Sequence, residues 1–461
     1  MSDIVCISPV DGREVARRPA MSEAEVAAAL SAARRAQREW AQVPLAERQA
    51  KIGAFLAAMQ AMNDDIVPEL ALQMGRPVRY GGEIGSFVER GRALIEISDA
   101  ALAPYVPPPK PGFTRMIKRA PAGIVLVVAP WNYPFLTALN SILPALLSGD
   151  AVLLKPAAQT LLTGARFQQA FDRIGLPKGL FQTVSLDHAG TTRLIASRGV
   201  DHVNFTGSVA GGQAIERAAA GTFTTLGLEL GGKDPAYVRA DADFDYAVAN
   251  VADGAYYNSG QCCCGVERVY VHERLYDRFV EAFAAVAAAY KLGDPLDAAT
   301  TLGPMAAARF AALVRDHTAE ALAKGAKALV DPSTFPADRV GTPYLAPQAL
   351  IDVDHTMKVM WEESFGPVVG IMKVSGDEEA IRLMNDSPYG LTASIWSADA
   401  EAAERIGDAL ATGTVLMNRC DYVDPYLAWS GVKDTGRGAG MSYLGFEAMT
   451  RPKSYHLRTN L

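Results

Sequence analysis

The chain has 461 residues, 49% hydrophobic and 21% charged, enough apolar material for a large core and, by length, two or three domains. A formal net charge of -7 leaves no surplus of Lys or Arg to neutralise phosphates, so nucleic acid is excluded as a partner, and Arg17-Arg18 and Arg34-Arg35 read as solvated helix faces. Five cysteines, an odd number with three adjacent, make a poor disulfide framework, and no basic-then-apolar leader opens the sequence, so a cytoplasmic protein is expected.

Ser22 followed by Glu25 has the form of a capping box, and the Ala-rich run to about Gln42 predicts a helix. A second helical pattern runs from about Pro44 to Met62. The proline-rich stretch 106–112 cannot continue a helix; it reads as a linker into an exposed strand and as a domain boundary. No charge falls between Arg119 and Asp150, a length that could cross a bilayer needing ~20 apolar residues. Pro121, Gly123, Pro130, Pro134, Pro144 and Gly149 cut it into strand, turn and helix, so a buried βα unit is expected and no membrane.

From there β-rich runs at 124–129, 151–155, 180–184 and 202–205 alternate with helical patterns, which argues for βαβ units around a parallel sheet. A second alternating series follows Gly232, with a strand at 267–271, a helix to about Leu292 and strands near Val368 and Ile395. An α/β chain with two such domains is the expected class.

Four segments carry chemistry, each with a plainer alternative. Cys262, Cys263 and Cys264 follow a Gly-containing turn that can expose a thiolate nucleophile, or they are small buried residues. Glu229, ahead of Gly231 and Gly232, is a general base if a water lies within reach, or else a solvated loop carboxylate. The turn from Phe205 through Gly207, Ser208 and Gly212 can cradle a pyrophosphate at a helix N-terminus, but it lacks the GxGxxG spacing and a ligand-free turn fits equally. Asn132, stiffened between Pro130 and Pro134, is an oxyanion donor or a simple Asx-turn.

Taken in order, Pro130-Trp-Asn-Tyr-Pro134, Lys155-Pro-Ala, Phe205-Thr-Gly-Ser, Glu229-Leu-Gly-Gly-Lys233, Gly260-Gln-Cys-Cys, Glu362-Glu-Ser-Phe-Gly-Pro367 and Ser430-Gly-Val-Lys-Asp-Thr-Gly436 resemble the aldehyde dehydrogenase superfamily over more than 300 residues. The resemblance implies Cys263, two places after Gln261, as nucleophile, Glu229 as general base, and Asn132 with the Cys263 amide as oxyanion hole. It implies NAD or NADP as cofactor, bound by Lys155, Gly207, Ser208, Gly212, Glu363 and Phe365, with Val128, Trp131, Ala158 and Leu230 along the same edge. The implied reaction is oxidation of a small-molecule aldehyde to its acid through a thiohemiacetal and a thioester, with no metal.

The fold so implied is a Rossmann-like NAD(P)-binding domain (1–104 and 122–233), a catalytic domain (234–440) and a β extension (105–121 and 441–461) that builds a homodimer or homotetramer. Ala158 stands where NAD-preferring relatives carry a Glu against the adenosine ribose, so NADP is expected to be accepted. Ser141 replaces a Lys associated with proton movement. Tyr133, Thr137, Asn140, Tyr257, Asp421 and Trp429 are expected around the substrate. Asn140 and Tyr257 align with two Arg positions of succinate-semialdehyde enzymes, which disfavours a terminal carboxylate unless Arg419 supplies the charge from another wall. The tail motif departs from the family at Trp429-Ser430-Gly431 and lacks a Glu after Gly436. Two other readings stay open, a CoA-acylating relative, against which Glu229 argues, and a non-catalytic cofactor-binding relative, against which the intact Cys263, Glu229 and Asn132 argue.

Overall fold

The strands expected at 124–129 and 151–155 carry no polar side chain but Lys155, as suits strands covered on both faces, and those at 180–184 and 202–205 continue the series. In the computed structural model, which describes residues 3–460, they build a six-stranded sheet. Its order is Phe181–Thr183, Ala151–Lys155, Ile124–Val128, His202–Thr206, Thr225–Glu229 and Gly436–Arg437. All pair in parallel except Gly436–Arg437, which runs antiparallel to Thr225–Glu229 with Gly436 opposite Glu229. Ile124–Val128 is buried throughout, and the helices Glu23–Trp40, Leu45–Gln60, Pro134–Ser148 and Leu161–Arg173 contribute to its core.

Chain order reverses between Ile124–Val128 and the neighbouring His202–Thr206, so successive crossovers leave this pair in opposite directions. A crevice therefore opens beyond their carboxyl ends, the place where such sheets bind ligands. Lys155, Thr206 and Glu229 each end a strand at that edge.

A seven-stranded second sheet has the order Lys327–Ala328, Gln348–Ile351, Val368–Val374, Val266–His272, Asp234–Val238, Thr392–Trp396 and Thr414–Met417, with only the first antiparallel. Apart from both sheets, Phe113–Pro121 and Thr450–Arg458 form an antiparallel ribbon in unbroken register, from Pro121 opposite Thr450 to Phe113 opposite Arg458.

The capping box at Ser22 forms, with the Ser22 side chain accepting from the Glu25 amide and the Glu25 carboxylate accepting from Ser22. A hairpin of Asp3–Ile7 and Glu14–Pro19 was not expected, nor were the helices Asn63–Met74, which holds Pro68, and Ile84–Ala101, which holds Gly85 and Gly91. Strands Thr225–Glu229 and Asp234–Val238 flank Gly231-Gly232, where glycine and Pro235 blur the β pattern. Among the described residues no helix is long and apolar enough to cross a membrane. Met1, Ser2 and Leu461, within the spans assigned from sequence, lie outside the described residues.

Candidate active site

Between the helix Phe244–Tyr256 and the strand Val266–His272, the chain turns through Asn258, Ser259 and Gly260, all left-handed with φ of 54°, 58° and 67°. Two non-glycine residues in that region are strained, of order 1–2 kcal/mol each. Contacts from distant segments hold them. Ser259 Oγ donates to Gly303 O at 2.8 Å, Gln261 Oε1 accepts from the Ala306 amide at 2.8 Å, and Gly260 packs so close to Gly366 that a Cβ would lie 2.3 Å from its carbonyl oxygen. The turn leaves Cys263 half-buried against a cavity of about 570 Å³, while Cys262 and Cys264 are buried.

The three sulfurs lie within 4.8 Å of one another, the one such group among the described residues close enough to share a metal ion. Cys262 and Cys264 both donate to Asp421 Oδ1, at 2.9 and 3.2 Å. The flanking thiols stabilise negative charge on Cys263 and bring it down to about 6, whereas interaction with Cys263 pushes Cys262 up to about 12. Burial and the neighbouring Cys262 raise the Asp421 carboxyl well above its usual range.

Glu229 lines the same cavity. Its Oε2 accepts from Thr206 Oγ1 at 3.3 Å, and desolvation lifts its carboxyl to about 7, despite the hydroxyl and the charge of Arg90. Such a carboxyl exchanges protons near neutral pH. The glycines after it serve two neighbours: a Cβ on Gly231 would lie 2.3 Å from Glu363 Oε2, and one on Gly232 would lie 2.5 Å from the carbonyl oxygen of Cys263.

Asn132 is buried and does not line the cavity as the thiols and Glu229 do. Its Nδ2 donates to Gln261 O at 3.2 Å, tying it to the thiol turn and leaving one N–H without an acceptor among the described residues. Arg76 and Glu83, absent from the sequence reading, fix this loop. Arg76 Nη2 donates to Asn132 O at 2.7 Å and Nε to Asn258 Oδ1 at 3.3 Å, joining the loop to the left-handed turn. Glu83, paired with Arg76 at 3.0 Å, accepts from the Phe135 and Leu136 amides at 3.0 and 2.7 Å and so caps a helix whose own N-cap, Tyr133, offers no side-chain bond. Nothing in the local sequence links positions 76 and 83 to that helix.

The cofactor candidates occupy the crevice edge. Ser208 caps the helix Val209–Ala219 by accepting from the Gly211 amide at 3.2 Å, and Gly212 lets it approach the next strand, since a Cβ would lie 2.6 Å from Leu230 Cδ2. Lys155, desolvated and lowered from its usual pKa, donates to Pro156 O at 3.3 Å and makes no ion pair among the described residues, and the exposed Ala158 adds no carboxylate beside it. Glu363 accepts from the Gly232 amide at 3.0 Å, and burial pushes it up to about 8. Phe365, left-handed at φ 50°, meets Trp131 edge-on at 5.5 Å, beyond buried Val128. A helix N-terminus with its leading amides, a desolvated cation and a carboxylate fit the pyrophosphate and hydroxyls of a dinucleotide. Ser141 is buried and accepts from Asn204 Nδ2, whose Oδ1 rests on Gly227 of the Glu229 strand.

Tyr133, Thr137, Asn140, Tyr257, Asp421 and Trp429 all line the cavity with Cys263 and Glu229. Arg90 and Arg419 join them. Arg419 is exposed and stacks 3.3 Å over the Tyr422 ring, whereas Arg90 is nine-tenths buried and donates to Asn140 Oδ1 at 3.0 Å.

A sequence model described as the aldehyde dehydrogenase family matches residues 1–455. A 4,4'-diapolycopene aldehyde oxidase of a Methylomonas species is 35% identical over 95% of this chain and 82% of its own. An NADP(+) succinate-semialdehyde dehydrogenase of Deinococcus radiodurans is 31% identical over 97% of this chain and 93% of its own. The crystal structure of PnpE in complex with nicotinamide adenine dinucleotide superposes with a TM-score of 0.95 at 29% identity, covering 100% of this chain and 95% of PnpE.

Proposed function

The chain belongs to the aldehyde dehydrogenase family, an NAD(P)-dependent enzyme that oxidises aldehydes, and from that premise we propose that Cys263, Glu229 and Asn132 carry the reaction. The observation that carries this reading is that Cys263 and Glu229 line one cavity, where neighbouring thiols bring the first down to about 6 and burial lifts the second to about 7. Near neutral pH the first is a thiolate and the second a competent proton acceptor.

The Cys263 sulfur adds to the aldehyde carbon, forming a C–S bond and moving the carbonyl electrons onto oxygen. The Cys263 backbone N–H donates to that oxyanion, and the N–H of Asn132 not used by Gln261 O adds to it from behind the cavity lining. A nicotinamide dinucleotide, when bound, supplies the hydride acceptor. Loss of the aldehydic hydride leaves a thioester on Cys263. Glu229 then takes a proton from water, the hydroxide adds to the thioester carbon, and the C–S bond breaks to return the thiolate and release the acid. A CoA-acylating outcome is disfavoured because Glu229 lines the cavity beside the thiol.

The cofactor is held by Val128, Trp131, Lys155, Gly207, Ser208, Gly212, Leu230, Glu363 and Phe365, and Ala158 leaves room for a 2′-phosphate. A domain division at 1–104 with 122–233, 234–440, and 105–121 with 441–461 completes the reading. Two-stranded ribbons are marginal alone and leave open edges, which supports pairing of the Phe113–Pro121 and Thr450–Arg458 ribbon with a second copy in a homodimer or homotetramer. Five free cysteines support a reducing, cytoplasmic location. Mass spectrometry of the product from an aldehyde panel with NAD or NADP, with and without CoA, tests the whole: acid alone is expected, and acyl-CoA would overturn the hydrolytic step.

A further inference from the structure

Arg90 projects from the helix Ile84–Ala101, on the stripe that also buries Phe87, Gly91 and Leu94. A guanidinium on a buried stripe is rarely tolerated without a partner. Arg90 is only 9% exposed, yet among the described residues it forms no ion pair, and its one hydrogen bond is to the neutral Asn140 Oδ1. Of the carboxyl groups whose charge reaches Arg90, Glu83 is taken up by Arg76 and two amides, and Glu229, hydrogen-bonded to Thr206, does not touch the guanidinium. Asn140 Nδ2 also has no acceptor among the described residues. Arg90 and Asn140 both line the cavity that holds Cys263.

We propose that Arg90 with Asn140 is a carboxylate anchor in the substrate cavity, so that the preferred aldehydes carry a carboxylate at the end remote from the carbonyl. This rests on the reading of Cys263 as the nucleophile. The fork of guanidinium donors matches two carboxylate oxygens, and the Asn140 amide adds a third donor. The absence of Arg at positions 140 and 257 therefore does not strip the cavity of cations: the charge reaches the side chain at position 140 from a neighbouring helix.

The half-aldehydes of succinate and glutarate, compared with butanal and pentanal, test it in steady-state assays. The unaltered enzyme is expected to favour the carboxylated member of each pair by about 30-fold in kcat/KM, mostly through KM, as suits loss of a charge-assisted hydrogen bond. Arg90→Gln collapses that ratio towards one, and Arg90→Lys restores part of it. Binding is read separately from turnover: glutarate raises the melting temperature of the unaltered enzyme, glutaramide does not, and Arg90→Gln loses the glutarate response. No preference for the carboxylated pair, or a preference that survives Arg90→Gln, overturns the anchor. In an enzyme inert to all four aldehydes the glutarate response alone decides: stabilisation that depends on Arg90 upholds the anchor and counts against the dehydrogenase reading it rests on, and no stabilisation overturns the anchor.

Discussion

Lys155, Gly207, Ser208 and Gly212 reach the crevice as strand ends and the turn into one helix, each placed by the chain immediately around it. Cys263, Glu229 and Asn132 arrive on three separate segments, held by groups still further away: Arg76 joins the Asn132 loop to Asn258, Gln261 joins it to the thiol turn, and Gly303 and Ala306 brace that turn. The first region is built from local geometry, the second from buried long-range polar contacts. Damage to the second should therefore spread, and damage to the first should stay confined.

The sharpest way to break that contrast is at the thiol. Cys263→Ala should lower turnover by roughly a thousandfold or more, while Cys262→Ala stays within about tenfold, both read from nicotinamide absorbance. The opposite ranking would mean that a different sulfur reacts. Next comes Glu229→Gln, expected to slow steady-state turnover about a hundredfold while sparing a first-turnover burst of reduced nicotinamide; loss of the burst would place the carboxylate before hydride loss. Arg76→Met leaves Glu83 buried without its partner and should cost about 3–5 kcal/mol in denaturant unfolding, with a fall in kcat although neither residue touches substrate.

At the cofactor edge Ala158→Glu should act on one step only, lowering kcat/KM for NADP about tenfold relative to NAD through charge repulsion, with the melting temperature unchanged. A loss of stability there would show the edge to be less self-contained than its geometry suggests. The smallest effect is on pH. Burial raises the folded Glu229 carboxyl from 4.5 to about 7, so its contribution to stability is full below 4.5 and is lost as pH rises through about 7. Glu229→Gln should then lose less stability than the unaltered enzyme between about pH 4.5 and 7, while the unaltered kcat climbs through about pH 7 as the Glu229 carboxyl ionises. Parallel melting curves across that range would contradict the burial argument.

The same contrast separates what could be read in the sequence from what could not. Apolar runs at 124–129 and 151–155 and the Ser22 capping box declare themselves within a few residues, and strands and helix form there. The Arg76–Glu83 pair has no such signature, because its partners lie about fifty and more than a hundred and eighty residues away. The Gly436–Arg437 strand lies in the span read as catalytic yet pairs with the sheet that ends in Glu229, since two residues carry no periodicity. Arg90 did leave a trace: a cation in register with Phe87 and Leu94 on a helix that was not assigned.

Gly232 brings the backbone of the Glu229 segment against that of Cys263. Glu229 and Gly232 are three residues apart on one stretch of backbone, and at Gly232 that stretch lies too close to the Cys263 carbonyl for even a methyl group. The segment works as a gauge block: the separation of the two backbones is set by main chain against main chain, and side-chain torsions at Cys263 and Glu229 govern only the remaining gap between thiol and carboxyl. A larger residue at 232 would push the two backbones apart and so displace Cys263 and Glu229 relative to one another.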